Sequence, residues 1–314
     1  MSALLEVVRE AFDLVPRAVV GGALAGAACG AVGTLLRWRR LVWAGFAVPE
    51  AATVGTAAAL GAATLAASLD VEPTALPRWL QDPHGGAARH VDLIGSAWIS
   101  AVDLLSLCVA VLAVLWLVPI GRRAAAAGER AAAACFLLAT TAVVLLVSRS
   151  AHGTEEIRQL AVGRTLMFLS PDDERLLRYA MPALVVVAWA LAPGLASLAF
   201  DRDHARATGR AVHLTEACFA AAFLLLCAVL ASRTGPAFLF AYLTLPAVGA
   251  ERLVARPFPT IVVATSLGAL GSVAGAAAAV RLDLPYATAS TAGILALTGA
   301  SVVAGALGRL VRRR

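Results

Sequence analysis

Seven stretches of this chain carry no charged residue at all: Ala18–Leu36, Leu104–Gly121, Ala131–Ser148, Tyr179–Phe200, Thr234–Ala250, Pro257–Val280 and Leu284–Gly308. Leu41–Leu69 carries one, Glu50, and Ala217–Ser232 is a slightly shorter uncharged run. A helix needs about 20 apolar residues to cross the hydrocarbon core of a bilayer. Only 15% of the residues are charged, too few to cover a water-facing surface, for which about 25% is usual. The chain is therefore expected to be all-α: a polytopic transmembrane helical bundle of about nine spans, within a range of eight to ten. The expected spans are 18–36, 41–68, 96–119, 130–148, 180–199, 213–232, 236–250, 259–280 and 285–308, with 236–250 the shortest. Residues 1–314 read as one transmembrane domain.

All 26 basic residues are arginine. Alternating the loops across nine spans places Arg37, Arg39, Arg40, Arg122, Arg123, Arg130, Arg202, Arg206, Arg210, Arg252, Arg256, Arg309 and Arg312–Arg314 on one side. That side owns the short loops, where arginine and lysine set orientation. It is expected to be cytoplasmic, with the carboxyl terminus there and the amino terminus outside, in a cell (inner) membrane. Arginines at span ends, rather than in one patch, argue against nucleic acid as a partner.

Gly22, Gly26 and Gly30 recur every four residues in the first span, and Gly268, Gly271 and Gly275 line the eighth. Small residues at that spacing let backbones approach closely in lipid. Packing inside one bundle or a seam between two copies both fit. The five cysteines, Cys29, Cys108, Cys135, Cys218 and Cys227, all lie inside expected spans without metal-ligand spacing and read as small packing residues. Met1–Val15 carries Glu6, Glu10 and Asp13 where a signal peptide has a basic segment, and its Leu4, Leu5, Val8 and Phe12 fit an interfacial helix.

Two acidic residues fall inside apolar runs. Glu50 follows Pro49 in the second span, and Asp103 lies several residues into the third. A charge at mid-bilayer costs at least about 2.5–3.5 kcal/mol, so such residues face a cavity or a partner. Glu50 reads either as a structural glutamate, protonated or arginine-paired, or as part of a transport path; Asp103 lies along the same path or near the outer surface. The proline in Thr244-Leu245-Pro246-Ala247 is expected to kink or break the seventh span. Asp70–Asp92 reads as a solvated loop. Leu160–Leu169 is too short to span and reads as a re-entrant or interfacial helix, with Ser170-Pro171-Asp172-Asp173 opening the next helix. No phosphate-binding glycine loop, zinc-protease pair or serine-nucleophile turn occurs, so the chain is expected to be no enzyme and to draw its energy from elsewhere.

Between the fifth and sixth spans stands a charged island, Phe200-Asp201-Arg202-Asp203-His204-Ala205-Arg206-Ala207-Thr208-Gly209. It resembles the Phe-Asp-x-x-x-Ala-x-x-x-Gly signature of zinc/manganese-type ABC importer permeases. Three more stretches are similar in order and spacing: Arg39-Arg40-Leu41-Val42 with Gly45 and Gly55, Gly163–Asp173 with its Ser170-Pro171-Asp172-Asp173, and Leu282-Asp283-Leu284-Pro285. The resemblance covers nearly the whole chain. It implies a homodimeric permease in the lipid bilayer, with an ABC ATPase subunit on the cytoplasmic side and an external solute-binding protein. The permease itself would bind no cofactor, ATP and magnesium being held by the ATPase. The segment at about 200–212 would be the coupling element, with Phe200, Asp201, Arg202, Ala205, Arg206 and Gly209 as its contacts. Where the family pattern has Asp and His four residues apart in the second span, this chain has Phe46 and Glu50. The resemblance therefore leaves Glu50 as the metal contact and a divalent ion of the zinc, manganese or iron class as the cargo.

Two other function classes fit the same features. A secondary transporter or ion channel would use Glu50 and Asp103 as an ion or proton relay. A non-transporting membrane scaffold would use the island to hold a partner.

Overall fold

The computed structural model describes residues 9, 11–12, 14–68, 101–148, 171–201, 203, 205 and 211–312. Among them the secondary structure is entirely helical: α1 (Pro16–Trp38), α2 (Val42–Ser68), α3 (Ala101–Arg123), α4 (Ala125–Val147), α5 (Pro171–Phe200), α6 (Val212–Thr234), α7 (Pro236–Leu253), α8 (Pro257–Leu282) and α9 (Tyr286–Arg312). The apolar runs read from the sequence each correspond to one helix. By length and composition seven of them can cross a membrane; α2 and α7 are not among these. The loop 70–92, the segment 160–169 and most of Met1–Val15 lie outside the described residues.

The helices alternate in direction, and named contacts establish it. Gly26 lies against Gly268 and Gly30 against Ala264, so α1 and α8 are antiparallel. Trp43 lies against Gly121, and Gly55 against Ser106, so α2 and α3 are antiparallel. Phe46 meets Phe136 while Ala57 clusters with Val143 and Val147, so α2 and α4 run in parallel. The bundle thus has two ends. One gathers the start of α1, the end of α2 and the start of α3; it is called the α1-start end below, and the other the α1-finish end.

The core forms around α1, 78% of whose most apolar stretch is buried, against 22% for α3 and for α9. Its glycines explain that position. A side chain at Gly26 or Gly30 would run into the backbone carbonyl of Gly268 or Ala264 on α8, and one at Gly33 into that of Leu243 on α7. In lipid, such close backbone approach replaces the hydrophobic effect as the source of helix association. The first-span glycines therefore serve packing within one chain. In α8 the small residues divide their work: Gly268 faces α1, while Gly271 and Gly275 face Ile294 and Ser290 of α9. The outer face of α3 and α4 presents Leu112, Leu115, Trp116, Leu137, Leu138 and Leu145, all exposed, as a lipid-facing surface requires.

Two local expectations have definite outcomes. Of the kink or break expected at Pro246, the break does not occur: α7 is helical from Pro236 through Leu253. The turn after α8 is tight: Asp283 takes the left-handed conformation at φ 50°, and the Leu284 N–H donates to the Ala279 carbonyl at 3.2 Å. Aspartate tolerates that conformation better than most residues. All five cysteines are free thiols, with Cys29, Cys135 and Cys227 buried.

Candidate functional site

Ion pairs concentrate at the two ends of the bundle. At the α1-finish end, Arg37 Nε pairs with Glu251 Oε2 of α7 at 2.6 Å, and Arg39 pairs with Glu216 of α6. At the α1-start end, Arg17 and Arg178 both reach Glu174, and Arg233 reaches Asp103 and Asp173. Glu50 belongs to neither group.

Glu50 sits about a third of the way along α2 and is buried, 8% exposed. Its Oε1 lies 2.9 Å from Thr140 Oγ1 of α4. Among the described residues no arginine pairs with it. One turn before it, at the position where the resembling family has aspartate, Phe46 stacks on Phe136 with ring centroids 4.2 Å apart and meets Phe240 edge-on at 5.4 Å. These three rings, from α2, α4 and α7, form an apolar cluster on the α1-finish side of Glu50.

The other side is lined with hydroxyls. Thr53 Oγ1 donates to the Glu50 carbonyl at 2.6 Å, and Thr56 Oγ1 lies 3.0 Å from Ser106 Oγ of α3. Glu50, Thr53 and Thr56 recur every three residues and so share one side of α2. Gly55 permits the approach, because a side chain there would meet the backbone of Leu105 and Ser106. One turn beyond Ser106 stands Asp103. A buried polar track thus runs from Glu50 to Asp103, over roughly 13 Å at 1.5 Å of helix rise per residue.

Asp103 is already engaged. Arg233 Nη1 donates to its Oδ1 at 2.8 Å and Nη2 to its Oδ2 at 3.0 Å. The same guanidinium donates through Nε to Asp173 Oδ1 at 2.9 Å and through Nη1 to the Val229 carbonyl at 2.5 Å. A buried cation between two carboxylates is stable only when its donors are satisfied, and these are. The sequence reading placed Glu50 and Asp103 on one path but missed Arg233, Asp173 and Thr140. Arg233 ends an apolar run as many arginines here do, and nothing local marks its partners.

Of the proposed coupling residues, Phe200, Asp201 and Ala205 are described, while Arg202, Arg206 and Gly209 lie outside the described residues. Phe200 ends α5 at the α1-finish end and is 86% exposed. Asp201 accepts the Asp203 N–H on its Oδ1 at 2.9 Å, and its carbonyl accepts the Ala205 N–H at 3.2 Å. Asp201 therefore caps a new helical turn in the manner of an N-cap aspartate, and Ala205 is buried.

Residues 90–306, more than half of the chain, match the ABC 3 transport family. The chain belongs to that family. Membership makes it a multi-pass membrane permease of an ABC transport system. The match begins beyond Glu50, so α1 and α2 are placed by structure rather than by the family pattern. The fold is similar to that of a chain in the PsaBC complex from Streptococcus pneumoniae with Fab, at a TM-score of 0.71 and 15% identity over 96% of this chain and 94% of that one. It is also similar to a metal-chelate type ABC transporter in an inward-facing conformation, at a TM-score of 0.58 and 13% identity over 95% of this permease and 99% of that chain. No curated protein matches the sequence.

Proposed function

We infer that this permease is the membrane-spanning subunit of an ABC importer for a divalent metal ion, with Glu50 as the cation contact. The observation that carries the reading is Glu50 itself, a buried carboxylate inside α2 with a hydroxyl partner and a polar track leading from it toward the α1-start end. A desolvated carboxylate away from any arginine marks an ion path in a membrane helix. Oxygen donors suit a hard or borderline cation. The resemblance of the motifs to zinc/manganese-type permeases, together with the metal-chelate type of one structural neighbour, favours a metal as the class of cargo.

In this reading all nine helices span the membrane, and residues 1–314 are one domain. The α1-finish end is cytoplasmic, the amino terminus outside and the carboxyl terminus inside. Two copies form the permease, an ABC ATPase docks on residues 200–212, and a solute-binding protein delivers the ion outside. Asp103 lines the outer mouth in its paired form, so the pair with Arg233 must yield when that mouth opens. Hydrolysis of ATP on the partner biases the permease between two access states.

The test is reconstitution with the ATPase in proteoliposomes, screening zinc, manganese, iron and non-metal solutes for stimulated hydrolysis and for uptake. Stimulation and ATP-dependent uptake of a divalent ion, both lost in Glu50→Gln, are expected. Uptake that proceeds without ATP would replace this reading with a secondary transporter or channel, and stimulation only by a non-metal solute would overturn the cargo.

A further inference from the structure

An open cavity of about 560 Å³ lies at the α1-finish end, where the α1–α2 turn, the start of α4 and the end of α7 meet. Arg37, Arg40, Val42, Trp43, Glu129 and Glu251 line it. Arg37 and Glu251 satisfy each other, with Nε 2.6 Å from Oε2. The other two charges do not. Arg40 and Glu129 are exposed, and neither side chain makes an ion pair or hydrogen bond among the described residues. The Trp43 indole N–H has no acceptor among them either. One arginine and one carboxylate thus line the same cavity without pairing with each other.

Arg40 is a poor residue for the turn it occupies. Its φ of 56° is left-handed, a conformation that glycine or asparagine adopts more readily. Strained residues of this kind gather at ligand clamps, where the side chain offsets the strain. Two glycines set Trp43 into the cavity wall. A side chain at Gly121 would meet its Cζ2 at 2.5 Å, and one at Gly128 its Cε2 at 3.3 Å. The stripe of α4 that carries Glu129 faces lipid: Ala133 and Leu137 follow at four-residue spacing, and both are exposed. Acyl chains cover such a stripe in a membrane protein, and tryptophan at a helix end marks the headgroup level.

We propose that this cavity holds the headgroup of a phospholipid that carries both a phosphate and a primary ammonium, as phosphatidylethanolamine does. The phosphate lies on the Arg40 guanidinium, whose fork of N–H donors suits it, and takes the Trp43 N–H as a further donor. The ammonium donates to the Glu129 carboxylate. The acyl chains run along Ala133 and Leu137. Both unpaired charges are answered only by a zwitterion: an anionic headgroup without a cation would answer Arg40 but set a like charge beside Glu129. A choline headgroup has no N–H to donate to that carboxylate. The bound lipid ties the α1–α2 turn to α4. The proposal needs only that the α1-finish end lies at a bilayer surface, and it is independent of the cargo and of Glu50.

The experiment uses the full permease, delipidated in detergent. Phosphatidylethanolamine, phosphatidylglycerol and phosphatidylcholine of matched chain length are added singly, with soluble phosphoethanolamine as the headgroup alone. Native mass spectrometry counts and ranks the bound molecules, and the thermal unfolding midpoint is read in parallel. The expected result is one phosphatidylethanolamine per chain, held about tenfold more tightly than the other lipids or the free headgroup. Glu129→Gln should bring phosphatidylethanolamine down to the level of phosphatidylglycerol. Arg40→Gly suits the left-handed turn, so it should lose the lipid while the midpoint of the delipidated permease does not fall. Phosphatidylglycerol held as tightly as phosphatidylethanolamine overturns the ammonium contact, and free phosphoethanolamine held as tightly overturns the lipid. Unchanged phosphatidylethanolamine binding in both variants overturns the site. Displacement of the lipid by added ABC ATPase, with ATPase binding lost in Arg40→Gly, makes the cavity a protein contact and overturns the proposal as well.

Discussion

Arg233 of α6 grips Asp103 of α3 at two points, Nη1 to Oδ1 at 2.8 Å and Nη2 to Oδ2 at 3.0 Å, across 130 positions of sequence. Through Asp173 the same side chain reaches α5, so three helices are tied at one end of the bundle. Removing one partner of a buried ion pair costs about 3–5 kcal/mol, because the other is left charged and unpaired. Arg233→Met removes the cation that Asp103 and Asp173 share and should lower the thermal unfolding midpoint more than Asp103→Asn does. Arg233→Lys should fall between, since an ammonium keeps the charge but not the two-point geometry. An unchanged midpoint in Arg233→Met would show that the triad contributes nothing to holding α3, α5 and α6 together.

If the aromatic cluster beside Glu50 closes its α1-finish side, removing a ring opens a leak. Phe46→Ala removes the ring that stacks on Phe136 and touches Phe240. The α1-finish side of Glu50 then opens, and ions should cross without ATP. Efflux of preloaded manganese from proteoliposomes lacking ATP measures this directly, and a tight Phe46→Ala permease removes the closure from the mechanism. Phe46→Asp asks the opposite question. It places a second carboxylate one turn from Glu50, on the same side of α2, and should raise manganese affinity at least about tenfold.

The α1–α8 seam predicts where a single methyl group is intolerable. An added carbon at Gly30 would overlap the Ala264 carbonyl, which is backbone and cannot rotate aside. Gly30→Ala should therefore destabilise the fold by about 1–3 kcal/mol, the usual cost of overpacking, and reduce the yield of folded protein in detergent. Gly299→Ala has open space around it and should be silent in the same assay. Equal behaviour of the two variants would mean that α1 and α8 do not pack through Gly30.

These results divide according to what a local sequence pattern can encode. The helices were legible because lipid enforces a simple rule, long uncharged runs ended by arginine, and every run corresponds to one helix. The glycine spacing was legible as close packing, but two partners remained open until Gly26 and Gly30 met Gly268 and Ala264. Glu50 stood out because it is expensive in an apolar run. Its surroundings did not: Thr140 is a common residue at an unmarked position of α4, brought to Glu50 across 90 residues by the parallel packing of α2 and α4. Pro246 left a kink and a break both open, and only the break is excluded, since proline in a membrane helix need not break it when neighbours satisfy the freed backbone groups.

The coupling reading makes a demand on the described part of the 200–212 segment. Phe200 is 86% exposed at the end of α5, so it contributes little to the fold in this chain alone. An exposed phenylalanine beside a freshly capped helical turn is suited to fill a pocket on a partner. Phe200→Ser should therefore leave the unfolding midpoint of the isolated permease unchanged while reducing ATPase co-purification and metal-stimulated hydrolysis. Asp201→Ala acts differently, since it removes the acceptor for the Asp203 N–H and loosens the turn itself. A lost N-cap costs about 0.5–2 kcal/mol, so its effect should be local, weakening coupling without unfolding the bundle. Replacing Asp201 together with Arg206 should uncouple uptake from hydrolysis more completely than either change alone. Normal co-purification and uptake in that double variant would place the ATPase contact elsewhere on the α1-finish end, where the short connections between α1 and α2, α3 and α4, and α7 and α8 also lie.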